Sequence, residues 1–169
     1  MSQKIEIVDR DLQHTLEIRS QAAMMKMPAV IGAAFEKINN HMKEKQIVCD
    51  FPPYVKYVNF SWDDAGGGNK FFGFFRMLTY KWDMLIGFPV TNEQIGAGEI
   101  KSGKIEKGKY LQTLHKGPYR KVGETYKVLI AYMKENKLKA KNECIEIYLN
   151  DPDTTKQDDL ETLVLIPLE

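Results

Sequence analysis

Glu146 lies in the segment Cys144-Ile145-Glu146-Ile147-Tyr148, where apolar residues alternate with others. Residues two apart on a strand share a face. Ile145, Ile147 and Leu149 therefore form one apolar face, expected beneath a helix. Cys144, Glu146 and Tyr148 form the other, which sets a lone glutamate among tyrosines. That constellation suits an organic cation. Aromatic rings supply apolar area and cation–π attraction. The carboxylate supplies a countercharge whose pull grows as the pair leaves water, although both ions lose solvation. The candidate rings are Tyr57, Trp82, Tyr110, Tyr119 and Tyr148, with Phe88 beside them. The same residues also fit a solvent-facing glutamate next to ordinary half-buried tyrosines. A third reading is catalytic: Glu146 as general base, with Tyr148 or Tyr110 donating a hydrogen bond, if burial raises the glutamate pKa.

Other chemistries find less support. His14, His41 and His115 are scattered, and no HExxH helix or Ser-His-Asp spacing is present, so no metal or cofactor is expected. His115, at a strand end, reads as a surface residue. Gly66-Gly67-Gly68 lacks the GKS/T or GxGxxG context of a phosphate loop. Asp151, Asp153, Asp158 and Asp159 lack the glycine and closing glutamate of an EF-hand, which makes a solvated loop the better reading. Met24, Met25 and Met27 would suit an adaptable pocket, or a helix lead-in packed on the core.

The totals fit this picture. The 169 residues are enough for one core, and the net charge of +1 lacks the basic footprint of a nucleic-acid binder. Cys49 and Cys144 form no CxxC pair. No signal-like or membrane-length apolar run appears, so a reduced, cytoplasmic protein is expected.

The elements that must position Glu146 come from periodicity. Residues 4–8 and 14–19 read as strands. Pro28 opens a helix with Ile31, Phe35, Ile38 and Met42 on one face. Residues 54–60 and 80–88 are strands, separated by an irregular, glycine-rich stretch. Gly96, Gly98, Gly103 and Gly108 mark a turn-rich region. Residues 109–115 form a strand, Val122, Tyr126, Leu129 and Met133 a second helical stripe, and residues 144–150 and 163–166 the last strands. A shift of 91 positions overlays the two stripes and continues without a gap to set Tyr57 on Tyr148 and Val55 on Glu146. The chain thus reads as one domain, 1–169, made of two βαββ units: about 1–90, with an insertion at 63–75, and about 95–169. The expected fold is α+β, an antiparallel sheet with both helices on one face. A ligand cleft then lies on the other face or at the seam between units. In the insertion, Phe71, Phe72, Phe74 and Phe75 would fold back as a lid or serve as core.

Three segments carry a family resemblance. His115-Lys116-Gly117-Pro118-Tyr119 resembles the H-x-G-P-Y motif of GyrI-like domains. Glu146 to Pro152 resembles their E-x-Y-x-x-D-P motif, and Glu161 to Leu168 their closing strand. The family includes effector domains of multidrug-sensing bacterial transcription activators, the DNA gyrase inhibitory protein and free-standing domains. The resemblance implies paired βαββ repeats with a cleft between them. It also implies an acidic residue at Glu146 facing lipophilic cations among aromatic residues. Activators of this family carry a preceding helix-turn-helix domain, for which this sequence has no room, so a stand-alone binder without direct DNA contact is expected. Two alternatives follow from the same resemblance. One is a hydrolase of reactive cyclopropane-bearing compounds, and the other a protein-interaction module directed at gyrase or at a separate regulator.

Overall fold

In the computed structural model, which describes residues 4–49, 51–60, 62 and 80–169, strands and helices follow one another as the sequence periods require. Strands β1 (Ile5–Arg10) and β2 (Gln13–Ala23) lead into helix α1 (Met27–Glu44), followed by β3 (Tyr54–Val58) and β4 (Lys81–Pro89). The second half runs β5 (Lys101–Ile105), β6 (Gly108–Lys116), helix α2 (Val122–Glu135), β7 (Glu143–Tyr148) and β8 (Glu161–Pro167). Pro28 sits in the first turn of α1, where its missing N–H costs nothing. Ala34, Ile38 and Met42 are the buried apolar residues of that helix, and Leu129, Ile130 and Met133 those of α2. The insertion at 63–75, and with it Phe71, Phe72, Phe74 and Phe75, lies outside the described residues.

All eight strands join one antiparallel sheet in the order β1-β6-β8-β7-β3-β4-β2-β5. The successions β2-α1-β3-β4 and β6-α2-β7-β8 lie on either side of the central β7–β3 pair. The leading strand of each half is exchanged: β1 borders β6 of the second half, and β5 borders β2 of the first. Strand β5 falls inside the region that its glycines marked as turn-rich.

The connections force the sheet to curl. Only Asp11 and Leu12 join β1 to β2, although these strands hold the first and seventh places. Six strand spacings amount to about 29 Å on a flat sheet. A two-residue link spans at most about 11 Å. Glu106 and Lys107 set the same condition for β5 and β6, in the eighth and second places. The result is a half-barrel. Its curvature lets Lys56 on β3 reach the carbonyl of Lys104 on β5, three places away, at 3.5 Å.

Curling gives the sheet two apolar interiors. Leu16, Ile18, Val55, Met84, Ile86, Leu111, Val164 and Ile166 lie in a cluster with the buried residues of both helices. Tyr54, Ile105, Tyr110, Ile145, Ile147 and Leu165 form a second cluster on the other face. Ile145 and Ile147 therefore do not lie beneath a helix, contrary to the strand-pattern expectation. They fill the inside of the curl, and Cys144, Glu146 and Tyr148 face the helices. The seam between the helices, not the opposite face, is where Glu146 stands. Among the described residues, no helix is long and apolar enough to cross a membrane.

Candidate functional site

The pairing of β3 with β7 puts Val55 directly opposite Glu146. Val55 is also the residue 91 positions earlier in the sequence. The site thus sits at the centre of the sheet, with Val164 of β8 on the other flank of Glu146.

Glu146 is only 6% exposed. Three tyrosine hydroxyls donate to its carboxylate: Tyr126 to Oε1 at 2.8 Å, Tyr148 to Oε2 at 3.0 Å and Tyr57 to Oε2 at a long 3.5 Å. Burial pushes the Glu146 pKa up, and the three hydroxyls pull against that rise without cancelling it. Burial, with the neighbouring acidic groups adding to it, holds Tyr57, Tyr126 and Tyr148 well above the usual phenol value, so all three remain donors. Burial likewise pushes up the Cys144 thiol, which keeps it protonated and a poor nucleophile. The Tyr126 hydroxyl also approaches Cys144 Sγ at 3.4 Å, but its shorter contact is with the carboxylate. Among the described residues no cation is paired with Glu146 and no group of side chains is arranged to hold a metal ion.

Two arcs of aromatic rings meet at this carboxylate. One runs Tyr80–Trp82–Tyr57, with centroids 5.2 and 5.9 Å apart, and continues from Trp82 to Phe60 at 5.8 Å. Phe60 then stacks on Tyr126 of α2 at 6.0 Å and touches Trp62 at 4.5 Å. The Trp62 indole is fixed by donating to the Lys141 carbonyl at 2.7 Å. The other arc runs Phe88–Phe35–Tyr148–Tyr119, with centroids 5.4, 6.2 and 5.3 Å apart. Tyr57 and Tyr126 reach Glu146 from the first arc and Tyr148 from the second.

Of the residues singled out in the sequence, Tyr57 and Tyr148 contact Glu146, while Trp82 packs on Tyr57, Tyr119 on Tyr148, and Phe88 joins through Phe35. Tyr110 is elsewhere. It is 2% exposed, belongs to the cluster inside the curl, and donates to the Glu106 carbonyl at 2.6 Å. Its partner across β8 is Pro167, and the strand parity that puts Leu111 on the helix face turns Tyr110 away from it. His115 is not a surface residue: it is 4% exposed. Its Nδ1 lies 2.8 Å from Thr125 Oγ1 and its Nε2 3.3 Å from the Pro118 carbonyl. With a proton on Nε2 the ring donates to the Pro118 carbonyl, and its two contacts tie the Gly117-Pro118 turn to α2. Gly117 itself has φ +121°, a conformation that favours glycine. Met25 is exposed, and Met24, just before α1, and Met27, its first residue, are half-buried.

Sequence reasoning missed Tyr126, Phe35, Phe60, Trp62 and Tyr80. Tyr126 and Phe35 lay on the two helical stripes, where an aromatic reads as core. The signal that would have found them is the 91-residue shift, which overlays one on the other and places both in the turn facing the central strands.

The fold and site define a curled α+β domain with an aromatic seam around one buried acid. The model for the GyrI-like small molecule binding domain matches residues 4–169, and the chain belongs to that family. Solved structures share the fold at low sequence identity. EcmrR in its cryo-EM complex with DNA is 15% identical with a TM-score of 0.78; the match covers 99% of this chain and 57% of the EcmrR chain. SAV2435 bound to tetraphenylphosphonium is 12% identical with a TM-score of 0.60, covering 100% and 94%. A hydrolase from Listeria innocua is 14% identical with a TM-score of 0.56, covering 98% and 92%. No curated protein sequence matches the chain.

Proposed function

We propose that this protein binds lipophilic organic cations in the seam between α1 and α2, with Glu146 as the countercharge, and thereby senses or sequesters them. The observation that carries this reading is the Glu146 carboxylate itself. It is buried, ringed by aromatic side chains and, among the described residues, hydrogen-bonded only by neutral hydroxyls. An ionised carboxylate in such surroundings is costly without a positive partner. A cation with aromatic or aliphatic bulk supplies both the charge and the apolar surface. Tetraphenylphosphonium, the compound bound to the structurally similar SAV2435, has this chemistry.

A second reading is supported by the raised Glu146 pKa and the adjacent hydroxyls. Glu146 would act as a general base, with Tyr148 or Tyr126 donating to a small reactive substrate. The similar fold of a hydrolase agrees with this reading but shows the fold alone.

A thermal-shift screen of lipophilic cations against neutral aromatics separates these readings. Excess ligand raises the melting midpoint of a true binder. The proposal expects midpoints to rise with cations more than with neutral rings, and the cations to be recovered unchanged by mass spectrometry. Recovery of hydrolysed product would favour the second reading. No rise with any compound would count against both and favour a protein partner.

A further inference from the structure

Trp82 carries a buried hydrogen-bond donor in the aromatic arc. Its Nε1 is buried and has no hydrogen-bond partner among the described residues. Native proteins rarely leave such a group unpaired, because an orphaned donor forfeits its bonds to water. The other indole of the cluster shows what satisfaction looks like: Trp62 Nε1 donates to a carbonyl at 2.7 Å. Thr162 Oγ1 and His41 Nε2 are also unpartnered, but Thr162 is wholly covered and His41 sits in the last turn of α1. Trp82 is only partly buried and lies in the aromatic arc itself. Its ring packs edge-on to Tyr57 at 5.9 Å, and the Tyr57 hydroxyl points at Glu146.

We infer that the seam is built for cations that also carry a hydrogen-bond acceptor, with the Trp82 indole N–H donating to that acceptor while Glu146 faces the positive centre. This rests on the cation-binding reading above and narrows its ligand class. Trp82 would act as a specificity residue. An acceptor such as a carbonyl oxygen completes a buried polar group of the arc that no described residue satisfies. A ligand with charge and rings alone leaves it unpaired.

Two probes of equal charge test this. Tetraphenylphosphonium has no acceptor. The (4-acetylphenyl)triphenylphosphonium ion adds one carbonyl to the same scaffold. Affinities would be measured by titration calorimetry for the native protein and for Trp82→Phe, which keeps a ring and removes the N–H. One neutral hydrogen bond corresponds to roughly a three- to tenfold difference in affinity. The acetyl probe is expected to bind the native protein tighter by that factor, and Trp82→Phe to erase the preference. In the ¹⁵N spectrum, the Trp82 indole N–H resonance should move downfield with the acetyl probe and not with tetraphenylphosphonium. Equal affinity ratios in both proteins, or an indole resonance that responds alike to both probes, would overturn the inference while leaving cation binding in place. Failure of both probes to bind would overturn it together with the reading beneath it. Should Trp82→Phe not fold, the indole resonance of the native protein decides alone.

Discussion

Two glutamates each accept a tyrosine hydroxyl from β3, but on opposite faces of the sheet. Glu17 of β2 takes Tyr54 at 2.6 Å, and Glu146 of β7 takes Tyr57 at 3.5 Å. Their strand neighbours differ. Glu17 stands between Gly87 and Lys101 in the strand register, and Thr15 donates to it at 3.2 Å. Gly103 leaves room for its carboxylate, which a Cβ at that position would strike. Glu146 stands between Val55 and Val164, and among the described residues tyrosine hydroxyls are the only polar groups its side-chain hydrogen bonds reach. Both carboxylates accept neutral hydroxyls, but Glu17 is half-buried and still meets solvent, whereas Glu146 is buried. A buried acid that is hydrogen-bonded but not neutralised is costly to ionise without a positive partner.

Disturbing each acid separately tests the contrast. The largest effect on stability is expected at Gly87, where an added Cβ would meet the Leu16 carbonyl at 2.6 Å and the Tyr54 ring at 3.1 Å. Gly87→Ala should lower stability by about 1–3 kcal/mol in chemical denaturation, with cation affinity unchanged in the folded fraction. Tyr54→Phe comes next. It removes a hydroxyl from a residue with no exposed surface and leaves Glu17 short of a donor. With a half-buried acceptor, it should cost about 0.5–1.5 kcal/mol by the same measurement, again without loss of cation binding. A matching loss of cation affinity in either variant would mean that the two faces are not independent.

At Glu146 the test is pH. Its folded-state pKa is raised by burial, so the folded protein holds its proton to higher pH than the unfolded chain. The stability associated with this residue is therefore full below the ordinary glutamate value and is lost as pH rises through the raised one. Cation affinity runs the opposite way, falling by at most about tenfold per pH unit as Glu146 is protonated. Melting curves and titrations across that window check both signs. The smallest effect is expected from Tyr126→Phe, which removes one of three donors. It should change cation affinity by roughly three- to tenfold with little effect on the fold.

The sequence made some of this visible. Both helices were marked by stripes of period near 3.6, and Glu146 by its place among alternating residues. The counterpart of Glu146 under the 91-residue shift, Val55, proves to be its partner across the strands. Other features were hidden for physical reasons. Strand β5 is a mostly exposed edge whose Lys101-Ser102-Gly103-Lys104-Ile105 shows no alternation, because Gly103 serves Glu17 rather than a core. The facing of β7 was misread because curling makes both sides of the sheet apolar, and strand parity alone does not say which side carries the helices. Tyr110 was misplaced by the same ambiguity. His115 looked like a surface residue because its partners Thr125 and Pro118 come from the turn and helix that follow it.

The most direct test of the central claim is calorimetric titration of tetraphenylphosphonium into the native protein and into Glu146→Gln, with neutral triphenylphosphine oxide as the control. Glutamine keeps the shape of the side chain and removes its charge. If Glu146 is the countercharge, the cation should bind the variant weaker by about 2–5 kcal/mol, roughly thirtyfold or more, while the neutral control binds both proteins alike. Equal affinity of the cation for both proteins would contradict the claim and place the countercharge, or the binding site, elsewhere.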